Sequence, residues 1–195
     1  DLIQTTTNDS SVSCVGSLLE SYLKMGKAYI DVAMAPVGKE TGAIAIKKVC
    51  KSTARLDNCL DGCLYRPCVL TRFPIVRPGR DYGDGKTDPI GSELINKFDK
   101  TFDLADGGLH KPKIVRCSGS RGRTYRQLVK GGDEIRQDAV MQQVFNFVNA
   151  MMATSRKGSD DELLKLVTYN IIPLSPASGV RREKHQTIYL TFIGT

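Results

Sequence analysis

The chain has 195 residues, 41% of them hydrophobic and 25% charged, and 28 Lys and Arg against 21 Asp and Glu give it a formal net charge of +7. That balance belongs to a folded protein and excludes a disordered chain, and no apolar run approaches the ~20 residues that cross a bilayer. Residues 1–13 are polar and lack the basic-then-apolar order of a secretory signal, so the expected setting is the cytosol or nucleus, with no membrane partner. The absence of an initial methionine reads as a start inside a longer protein.

Val15, Leu18, Leu19, Tyr22, Leu23, Tyr29, Ile30 and Ala33 recur at three- and four-residue spacings. They predict a helix with one apolar face, ended by Pro36 and Gly38. Such a face needs a partner, expected in an element upstream of Asp1. A weakly patterned second helix is predicted over 44–60. Residues 61–108 are rich in Gly, Pro and Asp, with Pro67, Pro74, Pro78 and Pro89 cutting them into short pieces. They read as a connector, with short strands at 69–71 and 75–77 and a better one at 100–104. Cys59, Cys63 and Cys68 are irregularly spaced, with no histidine nearby and no fourth ligand, so they read as ordinary thiols and no metal site is assigned.

Firmer elements follow. Strands at 113–117 and 124–130 flank Ser118-Gly119-Ser120-Arg121-Gly122-Arg123, a turn composition that suits a hairpin. A helix begins after Gly131-Gly132, capped by Asp133, with Ile135, Met141, Val144, Phe145, Val148, Met151 and Met152 predicted on its inward side. Within 166–174 the β-branched run Val167-Thr168-Tyr169-Asn170-Ile171-Ile172 predicts a buried strand. The charge is also localised. No carboxylate lies between Asp106 and Asp133, whereas Lys111, Lys113, Arg116, Arg121, Arg123, Arg126 and Lys130 all fall there. Such a segment suits phosphate, whether of a nucleic acid backbone or of a nucleotide.

An antiparallel sheet with a glycine-bearing hairpin, a lysine on its second strand and a helix behind it can hold a nucleotide. Small residues at the tip let backbone amides approach phosphate oxygens, and Lys130 offers a fixed charge. Glycine-serine turns are common in proteins that bind nothing, so the hairpin alone decides little. Asp138 adds to it: it lies three residues before Met141 and seven before Phe145, bordering the inward stripe. A carboxylate there calls for a cation, and Lys130 is the candidate; the alternative leaves Asp138 solvated at the rim.

The run Leu128-Val129-Lys130-Gly131-Gly132-Asp133-Glu134-Ile135-Arg136-Gln137-Asp138-Ala139-Val140-Met141-Gln142-Gln143-Val144-Phe145 resembles the lysine-to-helix segment of the phosphatidylinositol-3-kinase-related protein kinases, ATM branch. Upstream, Pro112-Lys113-Ile114-Val115 with Cys117 and Gly119-Ser120 is similar to the family's glycine-rich loop. Downstream, Tyr169-Asn170-Ile171-Ile172-Pro173-Leu174-Ser175-Pro176-Ala177-Ser178-Gly179-Val180 is similar to its strand approaching the hinge. The resemblance is strong over about 101–180 and weaker before it.

It implies an α+β fold: a kinase-like amino-terminal lobe over 100–180, with an antiparallel sheet, a glycine-rich hairpin and one long helix. Ahead of it would come the helical end of a FAT solenoid over 1–60 and a connector over 61–99. It further implies that ATP, with Mg2+ in the intact enzyme, contacts Lys130, Asp133, Asp138 and Tyr169. Val115, Arg116, Cys117, Ser118, Gly119, Ser120, Arg121 and Gly122 would form the glycine-rich loop. Lys130 would touch the phosphates and pair with Asp138, Asp133 would lie near the phosphates, and Tyr169 would lie beside the adenine. Serine/threonine kinase activity toward Ser/Thr-Gln sites in nuclear DNA-damage and telomere signalling is implied too, with DNA reached only through break-sensor proteins.

After Val180 the resemblance stops. The family's hinge carries a tryptophan, this chain has none, and 181–195 reads as a divergent tail. No catalytic loop or metal-binding motif of the missing carboxy-terminal lobe is present, so the polypeptide alone is expected to be inactive. Two rivals stand beside this reading. One is a lipid-kinase lobe, disfavoured by the run from Val140 to Phe145; the other is a non-catalytic module binding nucleic acid through its basic face.

Overall fold

The computed structural model describes residues 9–38, 42–69, 93–105, 111–155 and 166–182. Helix α1 spans Asp9–Met34, strand β1 Ile44–Ala45, the one-turn helix α2 Ile46–Val49, and strand β2 Ile95–Leu104. Strands β3, Lys113–Gly119, and β4, Thr124–Gly131, precede helix α3, Ile135–Ser155; strands β5, Ile171–Ser175, and β6, Ser178–Arg182, complete the sheet. The six strands lie in the order β1-β2-β3-β4-β6-β5, every neighbouring pair antiparallel. Among the described residues no helix is long and apolar enough to cross a membrane.

Strand alternation divides the sheet into two faces. Val115, Cys117, Gln127, Val129 and Val180 are buried on one, under α1. The register pairs Ile114 with Leu128, Arg116 with Arg126, and Lys130 with Gly179, which places all of them on the other face. Ile114, Leu128 and Ile135 are buried there, apart from the main core.

The partner of α1 is therefore the sheet, where the sequence suggested an element upstream of Asp1. Its contact line also differs from the stripe read in the sequence. Met25, Ala28, Tyr29, Val32 and Ala33 are buried, whereas Leu19 and Leu23 are exposed. The small residues Ala28 and Ala33 set the close approach, and hydrophobicity alone could not rank them above leucine. Tyr29 is fully buried, stacks edge-on against Phe98 with ring centroids 5.6 Å apart, and donates its hydroxyl to Gln127 Oε1. As expected, the helix stops just before Pro36.

Lys113 closes the end of α1. Its side chain is buried, and Nζ donates to the carbonyls of Ala33 at 2.6 Å and Ala35 at 2.8 Å, a cation on the negative end of a helix. Burial pushes its amine down to about 8, with Cys50 opposing. Between pH 8 and 10.5 the unfolded chain holds a proton here that the folded chain has shed, so this group's contribution to stability rises with pH. Unfolding free energies of the parent and of Lys113→Met, compared at pH 7.5 and 10, should diverge in the parent's favour by about 2 kcal/mol. Parallel pH curves for the two proteins would remove the assignment.

Three expected elements take another form. In place of a helix over 44–60 there is a short strand, one helical turn and a series of turns around Arg55, Asn58 and Leu60. Asn58 and Asp57 engage Thr53 and Arg55 locally, the habit of such side chains outside helices. The strand expected from 167 begins at Ile171, because the preceding backbone is held by α3 instead. Leu166 exchanges hydrogen bonds with Asn149, and the Tyr169 N–H donates to Gln142 Oε1 at 2.9 Å. On α3, Met141, Val144 and Met151 are exposed, while Ile135 and Gln142 turn inward. The strand expected over 100–104 starts at Ile95, and Cys68 forms a bridge with Leu94. Most of the proposed strand at 69–71 and all of that at 75–77 lie outside the described residues.

Candidate nucleotide-binding site

Lys130 is the penultimate residue of β4, on the face turned away from α1 and opposite Gly179. A side chain on Gly179 would meet the Ile172 carbonyl and Ile135, so glycine here lets the first turn of α3 close against the sheet. That closure brings Asp138 within reach. Lys130 Nζ lies 3.3 Å from Asp138 Oδ2 and 2.7 Å from Asp133 Oδ2. The Asp133 hydrogen bond raises the Lys130 pKa above its ordinary value; partial burial opposes it and Asp138 adds to it. The amine is thus a fixed cation at neutral pH.

The structure brings Lys130, Asp133 and Asp138 together, with two differences from the expected geometry. Asp133, expected near the phosphates, makes the shorter contact, and Asp138 is not buried: its side chain is 47% exposed at the rim. The ion pair therefore does not arise from a need to neutralise a buried charge; it is a partly solvated cluster where β4 meets the start of α3. Asp133 accepts the Glu134 N–H at 3.1 Å, ahead of α3; the first-turn amide of Arg136 goes to Glu134 Oε1 at 3.3 Å, so Glu134 takes the capping role expected of Asp133. Glu134 itself is held by Arg136.

The hairpin is less open than the sequence suggested. Its tip amides are already engaged: Gly119 donates to Arg123 O at 2.7 Å, Ser120 to Leu94 O at 2.8 Å, Arg121 to Glu93 Oε1 at 2.6 Å, and Gly122 to Gly119 O at 3.0 Å. Gly122 takes φ +80, which explains a glycine at that corner. Val115 and Cys117 belong to the α1-side core, and burial pushes the Cys117 thiol up to about 12. Arg116 is ion-paired with Asp103 on β2. The Ser118 hydroxyl is buried and has no hydrogen-bond partner among the described residues. The tip amides are thus taken up by protein acceptors, and the cation on this face near the turn is Lys130, flanked by two carboxylates.

Tyr169 precedes β5 and shares its alternation with Ile171, which pairs with Arg181. The Arg181 guanidinium stacks over its ring, 4.8 Å from the centroid. β6 runs on to Arg182, two residues beyond the point where the sequence resemblance stops. Sequence reasoning missed Glu93 and Gln142. A lone glutamate in a Gly- and Pro-rich stretch carries no signal, whereas Gln142, seven residues after Ile135, shares its helical face and could have been read as inward.

No protein-family model matches the chain. It is 44% identical over 111 residues to the serine/threonine-protein kinase tel1 of Schizosaccharomyces pombe, a match covering 56% of this chain and 4% of that protein. With the serine-protein kinase ATM of Sus scrofa it shares 46% over 99 residues, 49% of this chain and 3% of that one. The solved FAT and kinase domain of CtTel1 superimposes with a TM-score of 0.66 at 27% identity, covering 86% of this chain and 11% of that one. Over about half its length the chain is therefore similar to Tel1 and ATM kinases. It spans only about one twenty-fifth of the length of the first of these relatives. The six-stranded antiparallel sheet with its helices matches a kinase-like amino-terminal lobe, as its likeness to the FAT and kinase region of CtTel1 shows.

Proposed function

We propose that this chain supplies the ATP-binding lobe of a Tel1/ATM-type serine/threonine protein kinase. The observation that carries the reading is Lys130, held by carboxylates from the turn and from α3 on the face of the sheet turned away from α1. A lysine fixed at both its stem and its head can meet a triphosphate without first being ordered, which is how phosphoryl-transfer sites use a point charge. ATP is the nucleotide, and protein hydroxyls, typically Ser or Thr before Gln, are the acceptors. Magnesium bound between the phosphates would neutralise the charge that develops during transfer. Among the described residues no group of three or more His, Cys, Asp or Glu converges as a metal site. The resemblance assigns the metal ligands to a carboxy-terminal lobe, as it assigns nuclear DNA-damage and telomere signalling to the whole kinase.

The intact kinase carrying this lobe should phosphorylate a Ser-Gln peptide at least about tenfold faster than its Ser-Ala counterpart, a gap of ~1.4 kcal/mol in transition-state binding. Phosphoinositide should not be a substrate. Preference for the lipid would replace this reading with the lipid-kinase one. Steeply salt-dependent DNA binding by the chain itself would favour the nucleic-acid module. Against that module, Arg116 is already engaged by the Asp103 carboxylate.

A further inference from the structure

We propose that Glu93 is a positioning residue that fixes the tip of the glycine-rich hairpin, and through it the affinity for ATP. The inference rests on the reading of this sheet as an ATP-binding lobe. Glu93 lies just ahead of β2 and is buried. Its Oε1 accepts the Arg121 N–H at 2.6 Å and its Oε2 accepts the Tyr125 hydroxyl. The carboxylate occupies the place that a side chain on Gly119 would fill. Its backbone carbonyl accepts the Val69 N–H at 2.9 Å, and the next carbonyl, Leu94 O, accepts the Ser120 N–H. Two adjacent residues outside the hairpin therefore hold two adjacent amides at its tip.

Strand alternation puts Gly119 and Tyr125 with Cys117 and Gln127, on the α1 side of the sheet. Glu93 thus grips the tip from behind, leaving the face that carries Lys130 clear. Burial would raise the carboxyl pKa, but hydrogen bonds from Tyr125, Arg121 and Arg123 and the charge of Arg123 outweigh it and hold the group below its ordinary value. It is an anion at neutral pH, and charge-assisted hydrogen bonds of this type are the strong ones. A two-stranded tip without such a brace is free to sample many positions, and ordering it on each binding event would weaken the affinity for nucleotide.

Glu93→Ala in the intact kinase is expected to raise KM for ATP about tenfold, the loss of a charge-assisted hydrogen bond, with kcat and the peptide KM within about threefold. Glu93→Gln keeps an oxygen for the Arg121 N–H and should recover most of the loss. Tyr125→Phe, which removes only the second donor, should shift KM for ATP in the same direction by about threefold. In the chain itself, amide exchange over 119–123 should quicken in Glu93→Ala and not in Glu93→Gln. An unchanged KM for ATP in both Glu93→Ala and Tyr125→Phe, or faster exchange without any change in that KM, would overturn the proposal. Activity that survives Lys130→Met would instead remove the nucleotide reading itself, so the two failures are distinguishable.

Discussion

Replacing Lys130 with methionine in the intact kinase is expected to lower kcat/KM for peptide phosphorylation by at least about a hundredfold, the scale of losing one preorganised group that stabilises transition-state charge. Stability should hardly change. The two carboxylates that flank Lys130 are each nearly half exposed, so its ion pairs lie in high dielectric and contribute about 0–1 kcal/mol apiece. Losing the cation leaves Asp133 and Asp138 hydrated rather than stranded. That contrast decides the interpretation: a structural lysine would lose stability and activity together, whereas a phosphate-binding one loses activity alone. The carboxylates should also separate. Asp133 sits in the turn and makes the contact that arriving phosphates would displace; Asp138 sits on α3 and still orients the amine afterwards. Asp138→Asn should therefore slow the reaction more than Asp133→Asn. Equal effects, or a parental rate in Lys130→Met, would contradict the assigned roles.

The sequence made the central segment legible because local rules and tertiary packing agree there. Alternation in 113–117 and 124–130, the Gly-Ser turn and the helix after Gly131-Gly132 each specify their own geometry, and the structure has all three. For Asp138 the helical period left a pairing with Lys130 and a solvated rim position both open, and only the resemblance favoured the pair; the structure has both, an ion pair at an exposed rim. What was illegible depended on partners distant in the chain. The face that α1 buries is set by Gln127, Lys113 and Phe98, some 70 or more residues downstream, and periodicity within the helix cannot anticipate them. In the same way the run from Val167 to Asn170 has strand composition, yet Asn149 holds the backbone of Leu166 just before it and Gln142 takes the Tyr169 N–H within it, and it stays outside the sheet. Glu93 shows the limit most clearly: its role exists only once the hairpin tip has arrived beside it.

Gly131→Ala should be the most damaging small substitution in the described part of the chain. In the sequence Gly131 only marks, with Gly132, the point after which a helix begins; in the structure it is the floor on which the last turn of α1 rests. An added Cβ would lie 2.5 Å from Ala33 O, 2.7 Å from Ala33 C and 3.1 Å from Ala33 Cβ. The first two are backbone atoms, so no rotamer change relieves the clash. Nor can the helix end shift freely, since Lys113 grips the Ala33 and Ala35 carbonyls and Tyr29, one turn earlier, is tied to Gln127. Either β4 bows, moving Lys130 beside it, or α1 lifts and exposes a buried ammonium with its two acceptors. Overpacking of this kind costs about 1–3 kcal/mol, and the loosened Lys113 bonds add about 1 more. The expected loss is about 3 kcal/mol, or roughly 10 °C in Tm for a chain of this size. Gly26→Ala supplies the opposite case: nothing lies within 4 Å of its added Cβ, and it sits inside the same helix. It should gain about 0.5–1 kcal/mol from helix propensity. Thermal unfolding of the two variants checks both signs, and amine-reactive labelling of Lys113, faster in Gly131→Ala, reports whether the helix has lifted. If Gly131→Ala is as stable as the parent and its Lys113 is equally protected, α1 is not seated on β4 as described.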